Sequence, residues 1–163
     1  MYYPDLTPYQ YWKEAGQPII NDVAQALNVG WLDDMYGYSK GSVPVDFVAR
    51  LWDFCRTPVN LMLGFHDCPF CDADPRTYLV VEHGGQKIGM GSGEIWIFGR
   101  NGQTYAAPTL ILHYITQHHY NPPQEFIQAT LDSPLPDTTE YDERAAQFGW
   151  GQRMLRGKKF QRQ

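Results

Sequence analysis

A chain of 163 residues with 43% hydrophobic and 19% charged side chains is long enough to bury one substantial core and is too apolar to be a disordered chain. No apolar run approaches the roughly 20 residues that span a bilayer, and the start lacks the basic and apolar regions of a secretory signal, so a cytoplasmic protein is the expectation. The net charge of −5 conceals an asymmetry: residues 151–163 carry five basic groups and no acid, which leaves −10 on the remainder. That pattern suits a tail that binds an anionic surface, or one that merely solubilises the chain end.

Residues 1–16 hold Tyr2, Tyr3, Tyr9, Tyr11 and Trp12 among Pro4 and Pro8 with no helical or strand period. They read as an extended aromatic arm that docks by its rings. Residues 18–27 are compatible with a short helix, Asn28-Val29-Gly30 with a turn, and 30–41 with a loop. A helix is expected over 44–56, with Ser42 as a possible N-cap and Phe47, Val48, Leu51, Trp52 and Cys55 on one apolar face. On that stripe Cys55 reads as a small packed hydrophobe.

Strands follow at Tyr78–Val81 and Gly93–Phe98, with reversals at Gly84-Gly85 and Asn101-Gly102 and a returning strand at Thr104–Ala106. Pro108 is expected to open a helix that runs to residue 118 and stops before Pro122-Pro123. A last helix of the body is expected over 123–131, then a linker at 133–136. The tail beyond it is helical around Tyr141–Phe148 and basic at its end. The sum is an α+β fold: a small antiparallel meander with packed helices, divided as arm 1–16, body 17–137 and tail 138–163.

Two segments carry chemistry. Cys68-Pro69-Phe70-Cys71 offers two thiols, and the second helix offers His113 and His118, the ligand types of a closed tetrahedral Zn²⁺ site. A redox dithiol is the weaker alternative, because Cys71 leads into Asp-Ala-Asp-Pro rather than into a helix. Residues five apart on a regular helix differ by roughly 140° in direction, so His118 has to lie where the helix already unwinds. His119 is then turned away. His66 is a spare imidazole that stands beside the ion, faces solvent or substitutes for a ligand.

The set Pro58-Val59-Asn60, Gly64 through Cys71, Gly93-Glu94-Ile95, Tyr105 through Pro108, His113 to His118, and Pro122 through Ile127 resembles a family of small uncharacterised bacterial proteins over roughly residues 28–131. In that family's pattern a glycine follows the second histidine, whereas this chain has His119. The resemblance carries over His66, Cys68, Cys71, His113 and His118, and brings no activity with it.

Four ligands fill a tetrahedron, which points to structural Zn²⁺ rather than a catalytic ion with an open position. Neither H-E-x-x-H nor the zinc-deaminase order of motifs occurs. The expectation is a non-catalytic accessory or adaptor that holds a protein partner through Tyr2, Tyr3, Tyr9, Trp12, Arg153, Arg156, Lys158 and Lys159. Nucleic-acid binding through the basic tail is an alternative. A zinc hydrolase with Glu94 as base is a further one, although Glu94 reads first as a partner on the sheet surface.

Overall fold

The computed structural model describes residues 1–11, 26–62, 64–72 and 78–147. Trp12, Arg153, Arg156, Lys158 and Lys159 lie outside the described residues, as does most of the helix expected over 18–27. Along the chain run β1 (Ala26–Asn28), α1 (Val45–Arg56), β2 (Val80–His83), β3 (Gln86–Gly89), β4 (Glu94–Phe98), β5 (Thr104–Pro108), α2 (Ile111–His118), α3 (Gln124–Asp132) and α4 (Thr139–Ala146). The class is α+β, as expected.

The strands do not form one meander. β4 and β5 pair antiparallel, and β1 adds to the far edge of β5 in parallel, with Ala26 opposite Thr104 and Asn28 opposite Ala106. Residues 26–28, expected to end a helix and enter a turn, are therefore a strand. β2 and β3 form a separate hairpin. Its turn residues Gly84 and Gly85 both have positive φ, the geometry a tight two-residue reversal demands and that glycine adopts without strain. The β4–β5 connection is longer than Asn101-Gly102 alone: Gly99 N–H donates to the Gln103 carbonyl at 2.8 Å, and Phe98 faces Thr104.

β4 is buried at every position and β5 at all but Pro108, so this pair is the floor of the core. α1 and α3 pack on β4 and on each other. α1 buries Phe47, Leu51, Trp52 and Cys55 of the predicted stripe and Phe54 beside it, while Val48 is only half-buried. Its N-cap position is Pro44, without a side-chain cap, so Ser42 does not serve there. Pro108 closes β5 instead of opening a helix, and α2 starts at Ile111. α4 belongs to the body rather than to a tail: Thr138 caps it, Tyr141 is buried, and the Tyr141 hydroxyl donates to the Trp96 carbonyl at 3.1 Å. The body thus continues past residue 137.

The N-terminal rings also turn inward. Backbone bridges tie Tyr3 to Trp31 and Pro8 to Leu27, which lays the arm along β1. Tyr2 stacks on Tyr36 with centroids 4.0 Å apart, and Tyr3 meets Trp31 edge-on. Tyr9 is 2% exposed, which removes it from any contact surface. Its hydroxyl donates to the Glu94 carboxylate, with Oε1 at 2.8 Å and Oε2 at 2.7 Å.

Glu94 is itself only 1% exposed, not a surface residue as the sequence suggested. Asn60 Nδ2 and Trp96 Nε1 also donate to its Oε2, at 3.3 and 3.2 Å. A carboxylate out of water is tolerable only with such donors. Asn60 reaches it from a left-handed backbone conformation, φ 51°, which asparagine adopts more readily than most residues. Burial and then the Glu94 charge push the Tyr9 phenol well above its ordinary pKa, so it remains a donor.

Replacing Tyr9 with phenylalanine keeps the packing and removes one donor from this buried acid. The expected cost is about 1–3 kcal/mol of unfolding free energy, read by urea denaturation. An unchanged midpoint would mean that the arm contributes contact area alone.

Candidate metal centre

Two pieces of chain with different local logic meet at one point. Cys68 and Cys71 flank a tight turn in which Cys71 N–H reaches the Cys68 carbonyl at 3.4 Å. Pro69 occupies the second position of that turn, where its fixed φ costs nothing. Opposite stand His113 in α2 and His118 at its last residue.

The end of α2 resolves the directional problem of ligands five residues apart. The N–H groups of both His119 and Tyr120 end on the Tyr114 carbonyl, five and six residues back, instead of the usual four. A widened turn of this kind lowers the angle between residues five apart, as in a π-type turn. His113 and His118 then place their Nε2 atoms 3.1 Å apart. His119 absorbs the reversal at φ 55° and is exposed, turned away from the cluster as expected. That left-handed conformation is one glycine takes at lower cost, which gives a physical reason for a glycine at this position.

His118 Nε2 lies 3.2 Å from Cys68 Sγ and 3.3 Å from Cys71 Sγ, and His113 Nε2 lies 3.3 Å from Cys71 Sγ. The ligand atoms of Cys68, Cys71, His113 and His118 all fall within 4.8 Å of one another. Each imidazole nitrogen carries one lone pair or one proton in its plane and can satisfy one neighbour at a time. Here two nitrogens and two sulfurs converge on a common centre. Hydrogen bonds alone do not account for that convergence, whereas a shared cation does, and the four residues lie close enough to hold one metal ion. His66 is exposed and is not part of the group.

Rings brace the site. Phe70, between the cysteines, packs on His118 at 5.3 Å, on Tyr38 at 5.0 Å and edge-on to Tyr114 at 5.7 Å, centroid to centroid. The Tyr38 hydroxyl donates to the His118 carbonyl at 3.2 Å, so the loop after β1 clasps the end of α2. Asn121 N–H to the Ser39 carbonyl and Gly41 N–H to the His119 carbonyl fasten the same loop. The sequence reading passed over Phe70, Tyr38 and Tyr114. The C-P-F-C spelling hinted only at Phe70, because the partners of its ring come from distant segments.

Electrostatics prepare the imidazoles and oppose ionisation of Cys68. Burial, then the neighbouring His118, lowers His113 to a pKa of about 4, and burial also lowers His118, so both offer lone pairs at neutral pH. Burial pushes the Cys68 thiol up to about 11 without an ion, so a metal has to displace its proton. Cys55 is excluded from this chemistry: it is fully buried on α1, with Sγ 3.8 Å from the Thr109 carbonyl, as its place on the apolar stripe foretold.

Fold and site together define a small α+β protein clasped around a Cys₂His₂ cluster. The chain belongs to the family described as Domain of unknown function (DUF7919), whose model matches residues 1–131. No curated protein and no solved structure matches the chain.

Metal binding at this cluster has a definite proton balance. Since the thiols must ionise and the imidazoles are already neutral, apparent affinity is expected to rise with pH across the neutral range. The steepness is up to about tenfold per pH unit for each thiol proton released. Competition with a chromophoric chelator between pH 6 and 8 measures it, and a flat profile would exclude thiolate ligation.

Proposed function

We propose that the ion is structural Zn²⁺ and that the chain is a non-catalytic accessory protein whose zinc holds a binding surface in shape. The observation that carries this reading is the geometry of the four ligand atoms. Bonds of about 2.0–2.1 Å to nitrogen and about 2.3 Å to sulfur set tetrahedral edges of about 3.3 Å between nitrogens and about 3.6 Å between nitrogen and sulfur. The separations of 3.1 Å between nitrogens and 3.2 to 3.3 Å between nitrogen and sulfur are a few tenths shorter, a mismatch that small side-chain adjustments absorb. Two thiolates with two imidazoles in a tetrahedron favour Zn²⁺ over the harder cations, which prefer oxygen.

The hydrolase reading has less support. Four protein ligands leave no coordination position for water, and the Glu94 carboxylate is taken up by Tyr9, Asn60 and Trp96 inside the core. A base must reach the proton it removes.

Partner contact is assigned away from Tyr3 and Tyr9, which pack on the chain's own body. The candidate surface is the loop after β1, where Met35 is 83% and Tyr36 51% exposed, with Tyr2 stacked on Tyr36. The basic residues Arg153, Arg156, Lys158 and Lys159 remain a proposed contribution to binding, through steering of an acidic partner.

Protein purified without chelator is expected to carry one Zn²⁺ per chain by elemental analysis. Cys71→Ser should lose the ion and lower the melting temperature, whereas His66→Ala and Cys55→Ala should keep full stoichiometry. Tetrahedral absorption bands of the Co²⁺ form should change in His118→Ala and not in His66→Ala. Zinc retained in Cys71→Ser, or absent from the wild type, would defeat this reading.

A further inference from the structure

Between the two limbs of the metal centre lies a cleft of roughly 100 Å³. One wall is the Cys-bearing loop, through His66, Asp67 and Pro69, and the other is the start of α2, through Leu110 and Tyr114, with Trp31 among the lining residues. Its size is well under the roughly 300 Å³ at which drug-sized pockets begin, so only a small molecule fits.

The lining has a polar group that opens into the cleft and has no partner within the described fold. Tyr114 is 97% buried, the complement of its 3% exposure. Buried phenols ordinarily find a hydrogen-bond partner. The other buried tyrosine hydroxyls of the described body have one: Tyr9 on Glu94, Tyr11 on the Met62 sulfur, Tyr105 on Glu125, Tyr120 on Asp5 and Tyr141 on Trp96. Among the described residues the Tyr114 hydroxyl has none, and Tyr114 faces this cleft. Asp67, on the rim, is exposed and is likewise without an ion-pair partner among the described residues. The nearby Asp33 already holds the Met1 ammonium at 3.0 Å.

These features select a ligand class. Trp31, Leu110 and Pro69 offer an apolar bed, the Met1 ammonium that also belongs to the lining is neutralised by Asp33, and the Asp67 carboxylate is left as the unpaired charge at the mouth. With the described body acidic as well, an anion is disfavoured. We propose that this cleft binds a small primary amine, whose ammonium donates hydrogen bonds to the Asp67 carboxylate and the Tyr114 hydroxyl oxygen while its carbon skeleton lies on Trp31 and Leu110. The site depends on the metal reading only because the ion joins the two walls, so metal content has to be measured alongside.

The test uses the full chain with its metal content established by elemental analysis, titrated with benzylamine and, as an isosteric control, benzyl alcohol. Binding is read by calorimetry and by the tryptophan fluorescence change. Saturable benzylamine binding is expected at millimolar concentration or below, with benzyl alcohol roughly tenfold weaker because it lacks the charge. Asp67→Asn, a surface change, should weaken the amine and leave the alcohol unaffected. Tyr114→Phe should weaken the amine with an unchanged melting temperature, since the lost hydroxyl bonds to nothing in the described fold. No saturation by benzylamine in metal-loaded protein overturns the proposal, as does equal affinity for amine and alcohol. A preparation that carries no metal would instead count against the metal centre, and the same titration after loading it with Zn²⁺ would still judge the cleft.

Discussion

Four potential ligand atoms from two distant segments meet within 4.8 Å of one another, and much of the surrounding structure is arranged around that meeting. A regular helix cannot aim residues five apart at one point. α2 therefore ends in a widened turn, with two N–H groups on the Tyr114 carbonyl and His119 in a left-handed conformation. Such a helix end leaves carbonyls to be satisfied. The loop after β1 provides partners through the Tyr38 hydroxyl on His118 and the Gly41 N–H on His119. The same loop delivers Tyr38 to Phe70, between the cysteines. One geometric demand thus recruits a turn, a helix terminus, a loop and a ring cluster.

A second constraint lies beyond the Cys₂His₂ cluster, in the carboxylate of Glu94. Its burial is matched by donors from three places in the chain: the arm through Tyr9, the segment after α1 through Asn60, and β4 itself through Trp96. A backbone bridge between Val59 and Glu94 holds that segment beside β4. A buried acid of this kind specifies which segments come together more than it stabilises them, because the cost of dehydrating the charge offsets much of the gain from its bonds. The arm is a further clamp. Asp5 accepts from the Gly30 N–H at 2.9 Å and from the Tyr120 hydroxyl at 2.8 Å, so it ties the approach to the site to the residue two beyond His118.

The Cys₂His₂ cluster and the core are continuous, since Cys68 is part of the core and Cys71 packs against it. α1, α3, β4 and β5 pack a core rich in aromatic rings, which includes Phe47, Phe126, Trp96 and Tyr105. α2 runs between that core and the cysteine turn: Ile111 and Leu112 are buried in the core, and His113 and His118 lie beside the cysteines. The addition of a Cβ at Gly30, whose φ is 73°, would bring it within 2.8 Å of Ile111 Cδ1, a measure of how closely the loop after β1 is pressed onto this helix.

The sequence by itself determined the features that short-range chemistry controls. The apolar period of α1, the Gly84-Gly85 reversal, the stop of α2 before Pro122-Pro123 and the four candidate ligands were legible because each depends on neighbours a few residues away. It misread Pro108 as a helix opener, since proline suits a strand end as well as a first helical turn. It took residues 26–28 for a helix end and turn, because a short parallel edge strand is defined by its partner β5 and has no local signature. The ring-rich arm looked free and Glu94 looked superficial for the same reason. Whether a tyrosine or a carboxylate is buried depends on what the rest of the chain lays over it, and Tyr9 and Glu94 are 85 residues apart. Only the tertiary structure could decide those placements, because burial and the matching of polar groups are properties of the assembled chain.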